Sequence, residues 1–373
     1  MKILFPLNSF YPTTMGGPGT ILYWQNVYLR KHGCKPTIIT TTNGIKKKII
    51  TNKLLDLPCG KVYYGDKGLL NPLALKNLYK AVINADIIHL TSLFSPSSIL
   101  AFLFTMFFNR NVPIVWSVRG ELNCNALKIN SLKKNVLLFV YKIFTKKVTF
   151  ASTSPKETIE IKTNFRKNSI IELPNLMPST ARLIHNNNSK RFLFLGRVHP
   201  IKNIESLIKA FYQSEAFTAD DVFLDIAGEF DERDTAYFQM LQDFVSKNNM
   251  QHKVKFLGHI AGSKKETLLA NAFFLVLPSH SENFGNVVIE ALNQGTPVIA
   301  SIQTPWKELE KKNAGFWIEN SVESLSNIID HTTQLSSKCY QNYRANAYIL
   351  VDENYNIDNQ IQKWIFEYKK LLN

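Results

Sequence analysis

The chain has 373 residues, 45% of them hydrophobic and 20% charged, which is normal for a globular protein and long enough for two domains that each bury a core. The net charge of +15 is uneven, with 24 Lys and Arg against 7 Asp and Glu through Thr180, and 20 against 22 from Ala181 onward. The basic first half should therefore prefer an anionic surface, an anionic acceptor or nucleic acid.

The chain has no pattern typical of secretion, membrane insertion or disulfide formation. Lys2 is followed by five apolar residues, too few for the core of a signal peptide. The longest apolar run, residues 99–108, has ten residues, whereas a membrane span needs about 18. The cysteines are far apart and form no CxxC pair: Cys34, Cys59, Cys124 and Cys339. These features predict a cytoplasmic protein in a reducing compartment.

Short β-type runs alternate with helical segments along both halves. In the first half the runs are KILFPL, PTIITT, IIHL, PIVWSV and VTFAST, and the helical segments are residues 20–32, 72–84, 96–109 and 131–145. In the second half the runs are RFLFLG, VFLDIAG, VKFLG, FFLVLP and PVIAS, and the helices are residues 203–212, 234–248, 264–271, 284–294 and 322–333. Such alternation predicts an α/β fold with parallel sheets covered on both faces.

The domain boundary is expected within LPNLMPST, residues 173–180, where two prolines interrupt regular structure and the charge balance changes. Near the C-terminus, residues 355–372 place apolar side chains at helical spacing, which predicts a terminal amphipathic helix. The expected domains are residues 1–177 and 178–352, followed by a terminal helix over 353–373.

The segment PSHSENFGNVVIEALNQGTPVIAS, residues 278–301, holds the strongest functional signal. A helix is expected to start near Phe284 or Gly285, and the free N–H groups of a helix N-terminus suit a diphosphate. Glu282 and Glu290 are eight positions apart, about 12 Å along a helix, so their carboxylates could grip both ends of a nucleotide sugar. From this spacing alone, an ordinary strand–loop–helix unit with two surface glutamates is an equal alternative.

Two other loops carry residues suited to phosphates. In FLFLGRVHPIKNIESLIKAF a strand ends at Gly196, and Arg197 and Lys202 follow it. Ligands bind at the carboxyl ends of strands in open α/β sheets, so these cations could contact a diphosphate. In PTTMGGPGT, after the first strand, Gly16 and Gly17 would let the backbone approach a ligand closely.

Together these segments resemble the family-4 retaining glycosyltransferases, a group 1 family with the GT-B fold. The resemblance lies in two glutamates separated by seven residues with Phe-Gly between them, the following Gly-x-Pro-Val-Ile strand, a Gly-Arg-x4-Lys-Asn element and a Gly-Gly loop. It is strongest from Arg191 to Gly315. It implies two Rossmann-like domains facing across a cleft, with the acceptor bound by the first and the donor by the second.

The resemblance also implies roles for individual residues. The catalytic residues would be Arg197, Lys202 and Glu282, with the two cations neutralising the leaving diphosphate. The same three residues would bind the donor together with Gly16, Gly17, Asn283, Phe284, Gly285, Asn286, Val287 and Glu290. The implied reaction is retaining transfer of a hexose from a UDP- or GDP-sugar to a glycan or lipid-linked acceptor, in bacterial surface polysaccharide or lipopolysaccharide synthesis.

No metal and no cofactor are expected. The sequence has no Asp-x-Asp at an isolated strand end, and DERD at residues 231–234 is typical of a loop and helix cap. The resemblance likewise implies catalysis without a metal, with Arg197 and Lys202 in the place of a cation.

The acceptor side departs from the family pattern. Many relatives have a histidine in the loop after the fifth strand, whereas IVWSVRGELNCNAL has Arg119 there. Arginine cannot serve as a base at neutral pH, so Arg119 is expected to orient an anion or a hydroxyl. Glu121 could assist the acceptor. His89, at the end of IIHL, could also face the cleft, although a structural role is favoured.

The segment NSLKKNVLLFVYKIFTKK combines lysines with an apolar face, so it could lie on an anionic membrane surface. The favoured alternative is a core-facing helix with solvated lysines. Nucleic-acid binding is not expected, because no such motif accompanies the charge. Two other functions stay open: a sugar-nucleotide epimerase of similar fold, and a non-catalytic nucleotide or polyanion-binding protein.

Overall fold

The computed structural model describes residues 1–13, 17–66, 68–69, 71–128, 131–184, 189–219 and 221–373. The chain divides into an N-terminal unit, Met1–Pro178 with Asn356–Asn373, and a C-terminal unit, Ser179–Tyr355. The expected boundaries, after residues 177 and 352, lie close to these divisions.

The N-terminal unit alternates strands and helices for most of its length. Its elements before the C-terminal unit are β1 (Lys2–Pro6), α1 (Gly17–Lys31), β2 (Lys35–Thr41), β3 (Leu54–Leu57), β4 (Gly60–Gly65), α2 (Pro72–Ile83), β5 (Ile87–Thr91), α3 (Pro96–Phe108), β6 (Ile114–Ser117), α4 (Cys124–Lys128), α5 (Ser131–Phe144), β7 (Val148–Ser152), α6 (Pro155–Asn164) and β8 (Ile170–Glu172).

Within the described residues, these strands form one eight-stranded sheet in the order β3-β4-β2-β1-β5-β6-β7-β8. All neighbours are parallel except β3 and β4, which form an antiparallel pair. The chain builds outward from β1 in one direction and then returns to start β5 on its other side. The order of the strands therefore reverses between β1 and β5.

The C-terminal unit repeats the alternation. Its elements are β9 (Lys190–Leu195), α7 (Ile204–Gln213), α8 (Glu215–Ala219), β10 (Val222–Ala227), α9 (Thr235–Lys247), β11 (Val254–Gly258), α10 (Ser263–Asn271), β12 (Phe274–Leu277), α11 (Asn286–Asn293), β13 (Val298–Ser301), α12 (Glu308–Lys311), β14 (Gly315–Ile318), α13 (Val322–Thr333) and α14 (Ser337–Asn354).

Its strands form a parallel sheet in the order β11-β10-β9-β12-β13-β14 across the described part of the chain. Here the order reverses between β9 and β12, which pair in register through Phe192 and Phe274. Apolar side chains of the strands and of the surrounding helices form one buried core. Two sheets that are parallel except at the β3–β4 pair, with helices between their strands, confirm the predicted α/β fold of two Rossmann-like domains.

Several elements were absent from the sequence prediction. The hairpin of β3 and β4 lies at the sheet edge, and β3 is only half-buried, so it lacks the apolar run of a central strand. The short strands β8 and β14 depend on pairing with β7 and β13. Helices α4, α6, α8, α12 and α14 were also not predicted, and α14 has a weakly amphipathic sequence in which charged and polar residues interrupt the apolar spacing.

The last helix, α15 (Ile357–Lys370), belongs to the N-terminal unit. It buries Ile361, Trp364 and Tyr368 in the same core cluster as side chains of α1, β1 and β2. Its first turn is tied to the segment before the C-terminal unit, since Ile357 N donates to Met177 O at 2.9 Å. The terminal segment thus completes one face of the eight-stranded sheet.

His89 is a core residue of this unit. It lies within β5, fully buried, with Nδ1 2.5 Å from the Tyr368 hydroxyl and Nε2 2.7 Å from Ser117 Oγ. Burial, and secondarily the Arg119 guanidinium, lowers the pKa of His89 to about 3. The alternative in which His89 faces a binding site is wrong, because both ring nitrogens link β5 to β6 and α15.

Neutral, buried His89 should reduce stability in acid. Between pH 6.5 and 3 the unfolded chain binds a proton at this residue and the folded chain does not. The free energy of unfolding should therefore fall as pH is lowered below 6.5, by up to about 1.4 kcal/mol per pH unit. Urea titrations from pH 7 to 5 should show a shallower pH slope for His89→Gln than for wild type. The exposed His252→Gln control should keep the wild-type slope, and equal slopes for all three proteins would contradict this role.

Candidate functional site

The predicted donor residues gather at the carboxyl edge of the C-terminal sheet, where the strand order reverses. Arg197 and Lys202 follow β9, and the segment from Pro278 to Gly285 follows β12. Because β9 and β12 are parallel neighbours, both segments leave the sheet at the same edge. This is the place where open parallel sheets bind ligands.

The turn after β9 presents two cations in different ways. A Cβ added to Gly228 would lie 1.8 Å from Gly196 O, so the ends of β9 and β10 approach closely and require glycine. Arg197 is exposed and has no hydrogen bond or ion pair within the described ranges. The Arg197 guanidinium is therefore available to a ligand. Lys202, in contrast, ends the short 3-10 turn Pro200–Lys202.

The loops after β9 and β12 are hydrogen-bonded to each other. Asn203 has φ 57° and is buried, and its side-chain amide donates to Pro278 O at 3.3 Å and to Asn320 O at 3.0 Å. The His280 N–H donates to Ile201 O at 2.9 Å. These bonds fix the turn that carries Lys202 against the loop that carries Glu282.

Each of the two predicted glutamates is held by a lysine. Lys202 Nζ forms an ion pair with Glu282 Oε2, with the two side chains 18% and 17% exposed. Lys265 Nζ lies 2.7 Å from Glu290 Oε1, with the two side chains 29% and 19% exposed. A carboxylate has about four acceptor positions, so each glutamate can still accept hydrogen bonds from a ligand.

Lys265 was not predicted from the sequence to belong to the site. It lies in α10 next to Lys264, and the letters alone do not tell which of the two lysines points toward α11. In the structure Lys264 is exposed, whereas Lys265 is half-buried against Glu290. No motif marked it in advance, because its partner depends on how two helices pack.

The helix expected near Phe284 starts at Asn286, and Gly285 is its N-cap with φ 83°. A Cβ at Gly285 would lie 3.0 Å from Leu277 Cδ2 and 3.2 Å from Glu282 Cγ. Because α11 starts at Asn286, Glu282 lies in the loop before the helix. The two glutamates are not on one helix, so the expected separation of about 12 Å along a helix does not apply to them. Glu290 lies in the second turn of α11.

Phe284 has a mainly structural place. Its buried ring contacts Trp306 at a centroid distance of 5.2 Å and Tyr355 at 6.0 Å, and its carbonyl accepts a hydrogen bond from Trp306 Nε1. A donor could meet Phe284 only through its backbone. The other predicted donor residues of this string are half-buried in the loop or the first turn of α11: Asn283, Asn286 and Val287.

A cavity of about 360 Å³ lies beside the Lys202 turn. Its lining residues are Pro200, Ile201, Asn203, Glu205, Tyr237 and His280. It is formed by the two hydrogen-bonded loops and by the starts of α7 and α9, so it adjoins the predicted diphosphate region.

The glycine loop of the N-terminal unit follows β1, one of the two strands at which that sheet reverses order. Gly16 lies outside the described residues. Gly17 is exposed and is the first residue of α1. The predicted approach of this loop to a ligand stays a prediction.

Arg119 follows β6 and has φ 58°, a conformation that is uncommon for residues other than glycine. Its Nη1 donates to Asn175 Oδ1 at 2.6 Å, whereas its buried Nε has no hydrogen-bond partner. Burial lowers the pKa of the guanidinium, and the more distant Glu157 opposes this. Among the described residues Arg119 has no ion pair, so a charged, desolvated group is left with an unused donor.

The carboxylate of Glu121 is hydrogen-bonded to other residues of the N-terminal unit. It accepts hydrogen bonds from Ser92 Oγ at 2.6 Å, Leu93 N at 2.5 Å and Phe94 N at 3.3 Å. Burial raises its pKa, and these hydrogen bonds act in the opposite direction. These contacts argue against the suggested acceptor role and make Glu121 a brace for the loop after β5.

No group of three or more His, Cys, Asp or Glu side chains among the described residues is placed to hold a metal ion. In the DERD segment, Asp231 accepts from Arg233 N at 3.1 Å and so caps the short turn Glu232–Asp234.

Residues 179–349 match the family described as glycosyl transferases group 1. The chain is 33% identical over 185 residues to the uncharacterized glycosyltransferase MJ1607 of Methanocaldococcus jannaschii, covering 49% of this chain and 45% of that protein. It is 27% identical over 214 residues to the O-antigen chain mannosyltransferase RfbU of Salmonella typhimurium, covering 54% and 58%. The chain thus spans about half the length of these relatives.

The fold also matches solved structures. The Anabaena protein Alr3699/HepE, crystallised with UDP and glucose, superposes with a TM-score of 0.75 at 20% identity, over 99% of both chains. At this identity the likeness concerns the fold, which is GT-B. Residues 179–349, most of the C-terminal unit, therefore match the glycosyl transferases group 1, and the chain as a whole has the GT-B fold.

Proposed function

We propose that the protein transfers a hexose from a UDP- or GDP-sugar to a glycan or lipid-linked acceptor, with retention of configuration and without a metal. The observation that carries the proposal is the convergence of Arg197, the Lys202–Glu282 pair and the start of α11 at one sheet edge. The fold of HepE, crystallised with UDP and glucose, agrees with a nucleotide-sugar donor.

In this proposal the diphosphate lies against the turn after β9. Arg197 can bind phosphate oxygens bidentately, Lys202 acts as a point charge, and the N–H groups at the start of α11 add positive potential. Negative charge builds on the diphosphate as the glycosidic bond breaks, so these groups stabilise the transition state more than the ground state. Such positive charge can serve in place of a metal.

Glu282 and Glu290 are proposed to accept hydrogen bonds from donor hydroxyls. Lys202 and Lys265 hold the carboxylates in place. Carboxylate oxygens accept hydrogen bonds, which suits sugar and ribose hydroxyls. Lys265 is therefore proposed as a positioning residue for Glu290.

The acceptor is proposed to bind the N-terminal unit. Arg119 has an unsatisfied Nε and no ion pair among the described residues, so it suits an anionic group or hydroxyl of the acceptor. Because RfbU is an O-antigen chain mannosyltransferase, synthesis of a bacterial surface polysaccharide in the cytoplasm is the setting proposed here.

A screen for turnover tests the function. The protein is incubated with UDP- and GDP-sugars, with and without lipid-linked glycan acceptors, and release of nucleoside diphosphate and the anomeric form of the product are followed. We expect acceptor-dependent release and an α-linked product from an α-linked donor. Conversion of the donor sugar without acceptor would instead identify an epimerase, and saturable binding without turnover on any pair would identify a binding protein.

Glu290→Ala should weaken donor binding by about 1–3 kcal/mol, roughly 5–150-fold, because it leaves a bound hydroxyl unpaired. Calorimetric titration of the donor found in the screen measures the change. Glu310→Ala, an exposed glutamate of the same unit, is the matched control and should bind as wild type does. Unchanged affinity in folded Glu290→Ala would remove this residue from the donor site.

The double variant Arg197→Ala/Lys202→Ala should lose transfer activity while keeping its fold, because the charge that stabilises the leaving diphosphate is gone. The control Lys247→Ala/Lys338→Ala removes two exposed cations from the same unit and should stay active. Initial rates and circular dichroism are measured for both. Near-normal activity in the first variant would argue against diphosphate stabilisation by these side chains.

A further inference from the structure

Helix α5 turns an apolar face to the solvent. Six large apolar side chains of this helix are exposed, and we call them the α5 face: Leu132, Val136, Phe139, Val140, Ile143 and Phe144. Leu132 is 79% exposed and Phe139 is 67% exposed. At about 100° per residue these positions fall on one side of the helix, so they form a continuous stripe.

The orientation of α5 is fixed by the opposite side of the helix. Leu138 and Tyr141 are buried, and the Tyr141 ring contacts Trp116 at a centroid distance of 4.9 Å and Phe102 at 6.1 Å. The Tyr141 hydroxyl donates to Leu93 O at 2.8 Å. A rotation that buried the α5 face would break these contacts, so the exposed stripe belongs to the native packing.

The neighbouring helix α3 also exposes apolar side chains. Helices α2, α3 and α5 contribute to one core cluster, which places them on the same face of the eight-stranded sheet. Phe107 at the end of α3 is 70% exposed, and Leu103 and Phe108 are exposed beside it. On the opposite face, Phe366 is the exposed large apolar residue of α1 and α15 within the described ranges.

The charges around this surface have one sign. Between Asp86 and Glu157 the sequence has nine Lys and Arg and a single acidic residue, Glu121. The Glu121 carboxylate is hydrogen-bonded to the loop after β5. Lys133 and Lys142 lie at the two margins of the α5 face. Lys146 and Lys147 follow the helix, and all four lysines are exposed and without an ion pair in the described structure.

We propose that the α5 face docks the protein on an anionic lipid bilayer, with its apolar side chains inserted at the level of the headgroups and its lysines on acidic lipids. An apolar stripe bordered by lysines is the pattern of helices that lie in a membrane interface. No helix in the described part of the chain has both the length and the apolar character to cross a bilayer, so binding would be peripheral.

Charge favours this occupant over a second copy of the chain. A symmetric contact between two α5 faces would bring the lysines of both copies together without acidic partners, which is unfavourable. Acidic lipids supply the missing negative charge. The proposal does not depend on the donor chemistry, although a lipid-linked acceptor would be presented at the same surface.

Sedimentation of the full chain with vesicles tests the proposal. Wild-type protein should partition onto phosphatidylcholine vesicles containing 30% phosphatidylglycerol at least tenfold more strongly than onto pure phosphatidylcholine, and salt should reduce this difference. Leu132→Ser/Phe139→Ser/Ile143→Ser should lower partitioning at least tenfold. Lys133→Gln/Lys142→Gln/Lys146→Gln should remove the preference for acidic lipid. Phe366→Ser, an exposed aromatic on the opposite sheet face, should behave as wild type.

Because all substituted side chains are exposed, each variant should keep the circular dichroism and melting temperature of wild type. Failure of wild-type protein to bind acidic vesicles would overturn the proposal, as would equal binding by the serine triple variant. A wild-type dimer that the serine variant converts to a monomer, without vesicle binding by either, would assign the face to a second copy instead. These results are independent of donor binding, so failure here leaves the proposed reaction intact.

Discussion

The ion pair between Lys202 and Glu282 depends on one constraint of the fold, the reversal of strand order between β9 and β12. These residues are 80 positions apart in the chain. They meet because parallel neighbouring strands release their following loops at the same edge. Hydrogen bonds of Asn203 and His280 then fix the two loops to each other. Without this topology the cations and carboxylates would be unrelated surface residues.

Half-burial gives these charges their chemical value. A fully exposed ion pair is screened by water and contributes little, whereas a deeply buried one would be too costly to rearrange around a ligand. The Lys202–Glu282 and Lys265–Glu290 pairs lie between these limits. Arg119 shows the same principle in the N-terminal unit, where a desolvated guanidinium keeps an unused Nε donor.

Much of the fold could be read from the sequence because apolar β-branched runs and helical periodicity coincide with the central elements. Helix α13 was predicted with its observed bounds, Val322–Thr333. Edge strands such as β3, and helices whose apolar spacing is weak, such as α14, were not, because neighbouring elements decide their structure.

The candidate site was likewise predicted only in part. Motif spacing singled out Arg197, Lys202, Glu282 and Glu290, and the topology brings the first three to one edge. Lys265 was not predicted because only the packing of α10 against α11 distinguishes it from Lys264. Similarly, the sequence gives no sign that the His89 ring will be hydrogen-bonded to Tyr368, which lies 279 positions later.

The most direct test of the central claim is a crystal structure with UDP or GDP bound. The account predicts the diphosphate at the carboxyl edge between β9 and β12, with its oxygens within about 3 Å of Arg197 and Lys202 nitrogens. The ribose or sugar hydroxyls should reach the carboxylates of Glu282 or Glu290. A nucleotide bound elsewhere, or a diphosphate that touches neither cation, would contradict the account.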